Sequence, residues 1–186
     1  MNLKTNSRKS GEPRRRFPKN KDLIIRDAHP DELDEVSLLL RDAYQQYESL
    51  IPPERWKNYL ADIMDVRGRL DESDLIVAEL DHRLAGCVTL YLEGSKSFPE
   101  AWPAGWAVVR LLAVHPDFRG RCIGHALMEE CIRRCRKASI KTVGLHTTEI
   151  MEVARHMYER MGFTRVPEHD FHPAPGITVM AYRLQL

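Results

Sequence analysis

The apolar run that ends at Val114 is followed by the turn His115-Pro116-Asp117 and then by Arg119, Gly120, Arg121, Cys122, Ile123 and Gly124, where a helical pattern begins. Two readings fit this stretch. Glycines relax a tight strand-to-helix turn and arginines keep it soluble. Alternatively, the first amides of a helix have no partner within it and the positive end of its dipole lies behind them, so the same turn is an anion site. Two familiar phosphate loops are excluded. A dinucleotide fingerprint needs GxGxxG, and a nucleoside-triphosphate loop needs Lys followed by Ser or Thr after its last glycine; neither pattern is present.

The other reactive side chains form no comparable cluster. Cys87, Cys122, Cys131 and Cys135 contain no CxxC pair, and although Cys131 and Cys135 lie one helical turn apart, no second pair completes a zinc spacing. They read as small buried hydrophobes, and neither a metal nor a disulfide framework is expected. The chain has 186 residues, 43% hydrophobic and 30% charged, which suits one domain with one core. Its net charge of +1 is too balanced for nucleic acid to be the main partner. No apolar run approaches the ~20 residues of a membrane span. With no signal-peptide core either, the chain is expected to be cytoplasmic.

One segment departs from that balance. Residues 1–21 carry Lys4, Arg8, Lys9, Arg14, Arg15, Arg16, Lys19 and Lys21 against Glu12 alone, and read as a disordered, solvated arm before a domain at residues 22–186. If the arm instead binds nucleic acid, affinity falls steeply with salt and is lost when those residues are deleted.

The elements that must position the turn follow from periodicity. A short strand at Leu23 precedes a helix over Asp31 to Tyr47, then a proline break and a second helix from Glu54. Asp74–Leu80 and Leu84–Leu92 read as a hairpin about Asp81-His82-Arg83, and Trp106–Val114 as a further strand after a loop. A helix over Ile123 to Ala138 buries Ile123, Leu127, Cys131 and Cys135 and gathers its cations late, where they suit the dipole. A strand at Lys141–Thr147, a helix stopped by Gly162, a short strand and a final strand from Gly176 complete the chain. The prediction is an α/β fold: a mixed sheet of about seven strands with four helices.

The stretch Leu111 to Met128, with Arg119 in the first and Gly124 in the last conserved place of its turn, resembles the acyl-coenzyme A signature of the GNAT N-acetyltransferase superfamily. The segment from Leu145 to Phe163, ending in Tyr158, three residues and Gly162-Phe163, is similar to that family's second block, and the order of elements is similar too.

The resemblance implies acetyl-coenzyme A as acyl donor and a primary amine as acceptor, joined by direct attack. It places Leu112, Ala113 and Val114 beside the pantetheine arm and the amides of Arg119, Gly120, Arg121, Cys122, Ile123, Gly124 and His125 around the pyrophosphate. Val114 N–H becomes the oxyanion donor, and Tyr158 the acid facing the departing sulfur. Met151 takes a place often held by Asn, and Ala154 allows close approach of its helix to the cofactor. Tyr44, Tyr47, Pro52, Pro53, Trp56, Phe98, Trp102 and Trp106 are expected to border the acceptor mouth.

Two positions depart from the family pattern. Cys122 replaces a glycine, and the expectation is negative φ there, with the side chain turned from the phosphates. Val108 stands where many relatives carry a basic Glu; an amine of pKa ~10.4 must still lose a proton, which leaves His146, Glu149, Glu93 or a water wire. These departures keep open an acyl-coenzyme A sensor without catalysis, which turnover would exclude. The β-rich C-terminal segment is also a candidate for pairing with a second copy.

Overall fold

Two strands rich in apolar residues, β2 (Asp74–Leu80) and β3 (Arg83–Tyr91), fold back on each other through Asp81-His82. Both turn residues have positive φ, 53° and 60°, the sign that matches the twist of a two-residue hairpin. The computed structural model describes residues 22–97, 102–174 and 176–186. The basic segment of residues 1–21 and Phe98 lie outside the described residues. The remaining strands extend the hairpin into one sheet, in the order β1 (Ile24–Asp27), β2, β3, β4 (Trp106–Val114), β5 (Thr142–Thr148), β8 (Ile177–Gln185), β6 (Thr164–Arg165), with β7 (Phe171–Ala174) also paired to β8.

Among the described residues eight strands are present, where about seven were expected. The addition is β7, which contains Pro173 and reads as a loop; proline lacks only an N–H that an edge strand does not need. β8 corrects a second expectation. It pairs with β5 on one edge and with β6 and β7 along parts of the other, so it is an interior strand for much of its length.

Four α-helices among the described residues cover the sheet. α1 (Leu33–Tyr44) and α2 (Pro53–Met64) lie on one face, where Val36, Leu40, Trp56 and Ile63 pack on Val77, Cys87 and Ala113. α1 is shorter than its periodicity suggested, because the chain tightens into a 3-10 helix over Gln45–Leu50. α3 (Ile123–Lys137) and α4 (Glu152–Arg160) cover the other face, with Ile123, Leu127, Cys131 and Tyr158 packed against Val109, Val143 and Leu145. Fully burying one such aliphatic side chain contributes about 1.5–3 kcal/mol. Arg134 orients α3 by pairing with Asp27 at 2.6 Å and Asp74 at 3.0 Å. Cys87, Cys131 and Cys135 are buried free thiols, and burial pushes Cys87 up to about 12.

The feature that positions a site is where the sheet comes apart. β4 and β5 run parallel and pair only from Trp106↔Thr142 to Val109↔Leu145. Beyond that rung β4 stays with β3 to Val114, and β5 stays with β8 to Thr148. A bulge at the same height bends β4: Thr89 faces Arg110 and Cys87 faces Ala113, so Leu111 and Leu112 both oppose Val88. Leu111 carries the extra residue's strain with φ 52°.

Candidate active site

One wall of the opening is the free edge of β4. His115 N–H donates to Ala85 O at 2.9 Å, so in an antiparallel ladder Val114, one residue earlier, turns its N–H and C=O away from β3. They face the space that β5 has left. The side chains of Leu112 and Val114 pack toward α3 and α4, and Ala113 toward α1.

Below that edge lies the glycine turn. His115 Nδ1 accepts Asp117 N–H at 3.2 Å and starts a 3-10 turn over Pro116–Phe118. Gly120 has φ +76°, and α3 begins at Ile123. The first intrahelical donor is Ala126, to Cys122 O at 3.1 Å, so the N–H groups of Ile123, Gly124 and His125 precede the ladder and project from the helix start. Arg121 stacks over Phe118 at 5.5 Å.

Two residues of the turn differ from expectation. Cys122 has φ 60° and ψ 16°, not negative φ. The backbone is left-handed here with a Cβ attached, at a cost of about 1–2 kcal/mol. Arg119 N–H is taken by Pro116 O at 3.3 Å, so its amide is committed within the turn. Its guanidinium donates to Ala43 O at 2.9 Å and Gln46 Oε1 at 3.3 Å, tying the turn to the end of α1.

Gly124 looks into a slot between the two halves of the site. A Cβ there would meet Val114 Cγ2 at 3.6 Å, Met157 Sδ at 3.7 Å and Leu112 Cδ2 at 4.0 Å. Ala154 is half-buried on α4, and Met151 at its start packs toward the α1 and α2 core. Tyr158 is 6% exposed, beside Phe163 at 5.8 Å. Its phenol also interacts electrostatically with Tyr44 and Tyr47, which belong to the opposite face of the sheet. Burial holds the Tyr158 phenol's pKa well above its usual 10.

The α1 and α2 side of the opening carries residues that the sequence reasoning partly missed. Trp102 lies over Gly144, where a Cβ would be 2.7 Å from Cζ3, and its ring centre is 4.5 Å from that of His146. His146 also meets Phe171 edge-on at 5.0 Å, and its Nε2 is 2.9 Å from His169 O. Burial lowers its pKa below 6.5. Arg110, in the next place beyond the last β4/β5 rung, lies 3.8 Å from Asp62 of α2. A charge inside the apolar run Trp106–Val114 was the one signal that could have singled it out. Asp62 also lines a cleft with Asp65, Arg69, Glu72, Tyr91 and Lys96. Among the described residues, the Nε1 of Trp102 and the hydroxyls of Thr147 and Thr148 are buried with no hydrogen-bond partner.

The other expectations separate clearly. Val108 is buried and presents no carboxylate. Glu149 is exposed, and Glu93 accepts the Ser95 hydroxyl at 3.0 Å. Tyr44 and Trp56 are buried packing anchors, whereas Tyr47 is only half-buried.

Fold and site together define a transferase of the acyl-group class. Residues 34–163 match the acetyltransferase (GNAT) family, and the chain belongs to it. An uncharacterised N-acetyltransferase of Schizosaccharomyces pombe is 24% identical over 152 residues, 81% of this chain and 88% of that protein. PaiA N-acetyltransferase of Thermoplasma acidophilum, solved with coenzyme A, superposes with a TM-score of 0.69 at 16% identity, covering 88% of this chain and 99% of that one. A GNAT-family acetyltransferase of Brucella melitensis, solved with acetyl-CoA, has a TM-score of 0.59 at 20% identity, covering 88% of each chain. No helix among the described residues is long and apolar enough to cross a membrane.

Proposed function

We propose that this enzyme transfers the acetyl group of acetyl-CoA to a primary amine by direct attack, with donor and acceptor held on opposite sides of the β4/β5 opening. The observation that carries this reading is the opening itself: β4 and β5 stop pairing after Val109↔Leu145, beside the unladdered first amides of α3. The residues present fit the donor. The helix-start amides of Ile123, Gly124 and His125, with those of Gly120, Arg121 and Cys122 in the turn, suit a pyrophosphate. The free edge at Leu112, Ala113 and Val114 suits the amides of pantetheine, which pair as an added strand does. Met151 and Ala154 border the arm, and Arg119 acts through its guanidinium by bracing the turn.

Acetyl-CoA supplies a thioester carbonyl that an amine can attack with loss of a thiolate. Val114 N–H, turned into the opening, donates to the carbonyl oxygen as charge grows there. Tyr158 remains protonated at every working pH and donates a hydrogen bond to the sulfur; full transfer to a thiolate of pKa ~8.5 is uphill from so weak an acid. His146 takes the amine's proton. With its Nε2–H donated to His169 O, the lone pair of the neutral ring is on Nδ1, and the depressed pKa keeps the ring neutral near pH 7. The acceptor attacks as its minor neutral form, having lost its first proton to solvent, and the N–H proton that His146 accepts becomes acidic once that nitrogen bonds to carbon.

The test is calorimetric titration of acetyl-CoA into the intact protein and into Gly124→Glu, followed by thiol release with a panel of amines. Binding that the substitution abolishes, with thiol release from one amine class, is the expected result. A folded protein that does not bind acetyl-CoA would overturn the reading.

A further inference from the structure

We infer that the cleft beside Asp62 seats a second ammonium of the acceptor, and that the acceptor is a diamine or polyamine acetylated at the end remote from the cleft. The inference rests on the acetyl transfer proposed above and adds the substrate class. Tyr91 of β3 pairs with Val108 of β4, and Val108 with Gly144 of β5, one rung short of the last, Val109↔Leu145. Cys87, four residues earlier in β3, packs under α1 and α2, so Tyr91 lies on that same face. With strands about 4.8 Å apart and a rise of about 3.3 Å per residue, Tyr91 stands about 10 Å from the opening. Asp62 of α2 joins the two places. It lines the cleft with Tyr91 and lies 3.8 Å from Arg110, the first β4 residue beyond the last rung.

The cleft, about 140 Å³, holds polar groups that the fold leaves unused. Tyr91 is 3% exposed and lines it, yet its phenol makes no hydrogen bond among the described residues. A hydroxyl so enclosed is ordinarily bonded, and its place in the wall suits a ligand's polar group. Arg69 is already committed. It donates to Asp62 Oδ1 at 3.0 Å and to the carbonyls of Asp62 and Asp65 at the end of α2. The Asp65 carboxylate takes only the Gly68 N–H, at 3.1 Å, and that of Glu72 pairs with no described residue. Two carboxylates and the carbonyl end of a helix thus face one ammonium, Lys96, and the excess of negative charge favours a cation. Lys96 is exposed on a flexible stem and forms no ion pair among the described residues, so it turns to water as the new cation enters. The Tyr91 oxygen accepts from that ammonium while Asp65 and Glu72 balance its charge, which leaves the near amine at the opening.

The experiment measures thiol release by the full-length protein at saturating acetyl-CoA, with α,ω-diamines of rising length beside monoamines, amino alcohols and ω-amino acids of equal length. The second amine should raise kcat/KM by at least tenfold over each matched analogue, with an optimum at a chain reaching about 10 Å. Asp65→Asn and Tyr91→Phe should each raise KM for the diamines at least threefold and leave turnover of the monoamines unchanged. Gly68→Ala should do the same, because its Cβ would overlap the Asp65 carboxylate and swing it aside. Lys96→Gln, which removes the competing cation, should lower KM for the diamines. Parallel acetyl-CoA titration checks that each variant is folded and its donor site intact. Monoamines or ω-amino acids used as well as diamines, or a diamine preference that survives both Asp65→Asn and Tyr91→Phe, overturns the inference. Acetyl-CoA binding without thiol release from any member also overturns it. Absent acetyl-CoA binding by the unaltered protein is a failure of the parent reading instead.

Discussion

The ring of Trp102 lies directly on the backbone of Gly144: a Cβ at that residue would come within 2.7 Å of Cζ3 and 2.8 Å of Cε3. A strand residue without a side chain is thus the seat for an indole that closes over the sheet beside His146. This contact joins the loop before β4 to the strand that carries the proposed base.

Gly144→Ala tests that seat. The methyl must displace a buried ring, and overpacking of this kind costs about 1–3 kcal/mol, which thermal unfolding would register as a lower Tm. The slot at Gly124 lies on the other face, so acetyl-CoA affinity should change little while KM for the acceptor rises. Equal damage to both affinities would mean that Trp102 supports the whole opening and not the acceptor side alone.

Cys122→Gly tests the strained turn. The left-handed backbone costs a non-glycine residue about 1–2 kcal/mol, partly offset because glycine loses more freedom on folding. A net gain of up to about 1 kcal/mol is expected in denaturant unfolding. Cys122→Val, which adds a branch at the same φ of 60°, should lose stability and weaken acetyl-CoA binding. Destabilisation by glycine would place a compensating contact on the thiol.

The contrast between Cys122 and Tyr158 shows what sequence reasoning could reach. β4 and α3 were legible because an apolar run and a 3.6-residue period survive any packing, and Tyr158 because the segment ending in Gly162-Phe163 resembles the family's second block. The left-handed turn was hidden once cysteine stood in for glycine, since residue type is the only local sign of positive φ. The bulge at Leu111 left no sign for the same reason. Gly144 and Arg110 owe their significance to partners from distant segments, Trp102 and Asp62, and no local period encodes those meetings. β7 was read as a loop because its proline counts against a strand everywhere except at an edge.

Tyr158→Phe removes one hydroxyl and keeps a ring of nearly the same shape against Phe163. Loss of a donor to developing charge in a water-poor site costs about 10²-fold in kcat. Acetyl-CoA affinity and Tm should move little by comparison, which calorimetry and thermal unfolding would check. An unchanged kcat would reduce Tyr158 to a packing residue.

His146 makes two pH predictions of the same sign. Catalysis needs the neutral ring, so kcat/KM should rise with pH to a plateau with its midpoint below 6.5, the direction in which burial moves this group. Stability follows because the unfolded chain binds the proton more readily than the folded one. The contribution of His146 is therefore present above pH 6.5 and is lost as pH falls through the lower folded value. His146→Gln should flatten the acid limb of kcat/KM and reduce the loss of stability between neutral and mildly acidic pH, read by urea unfolding on either side of that window. A limb that persists in the variant would move the base to another group, with Glu93 next to be tested.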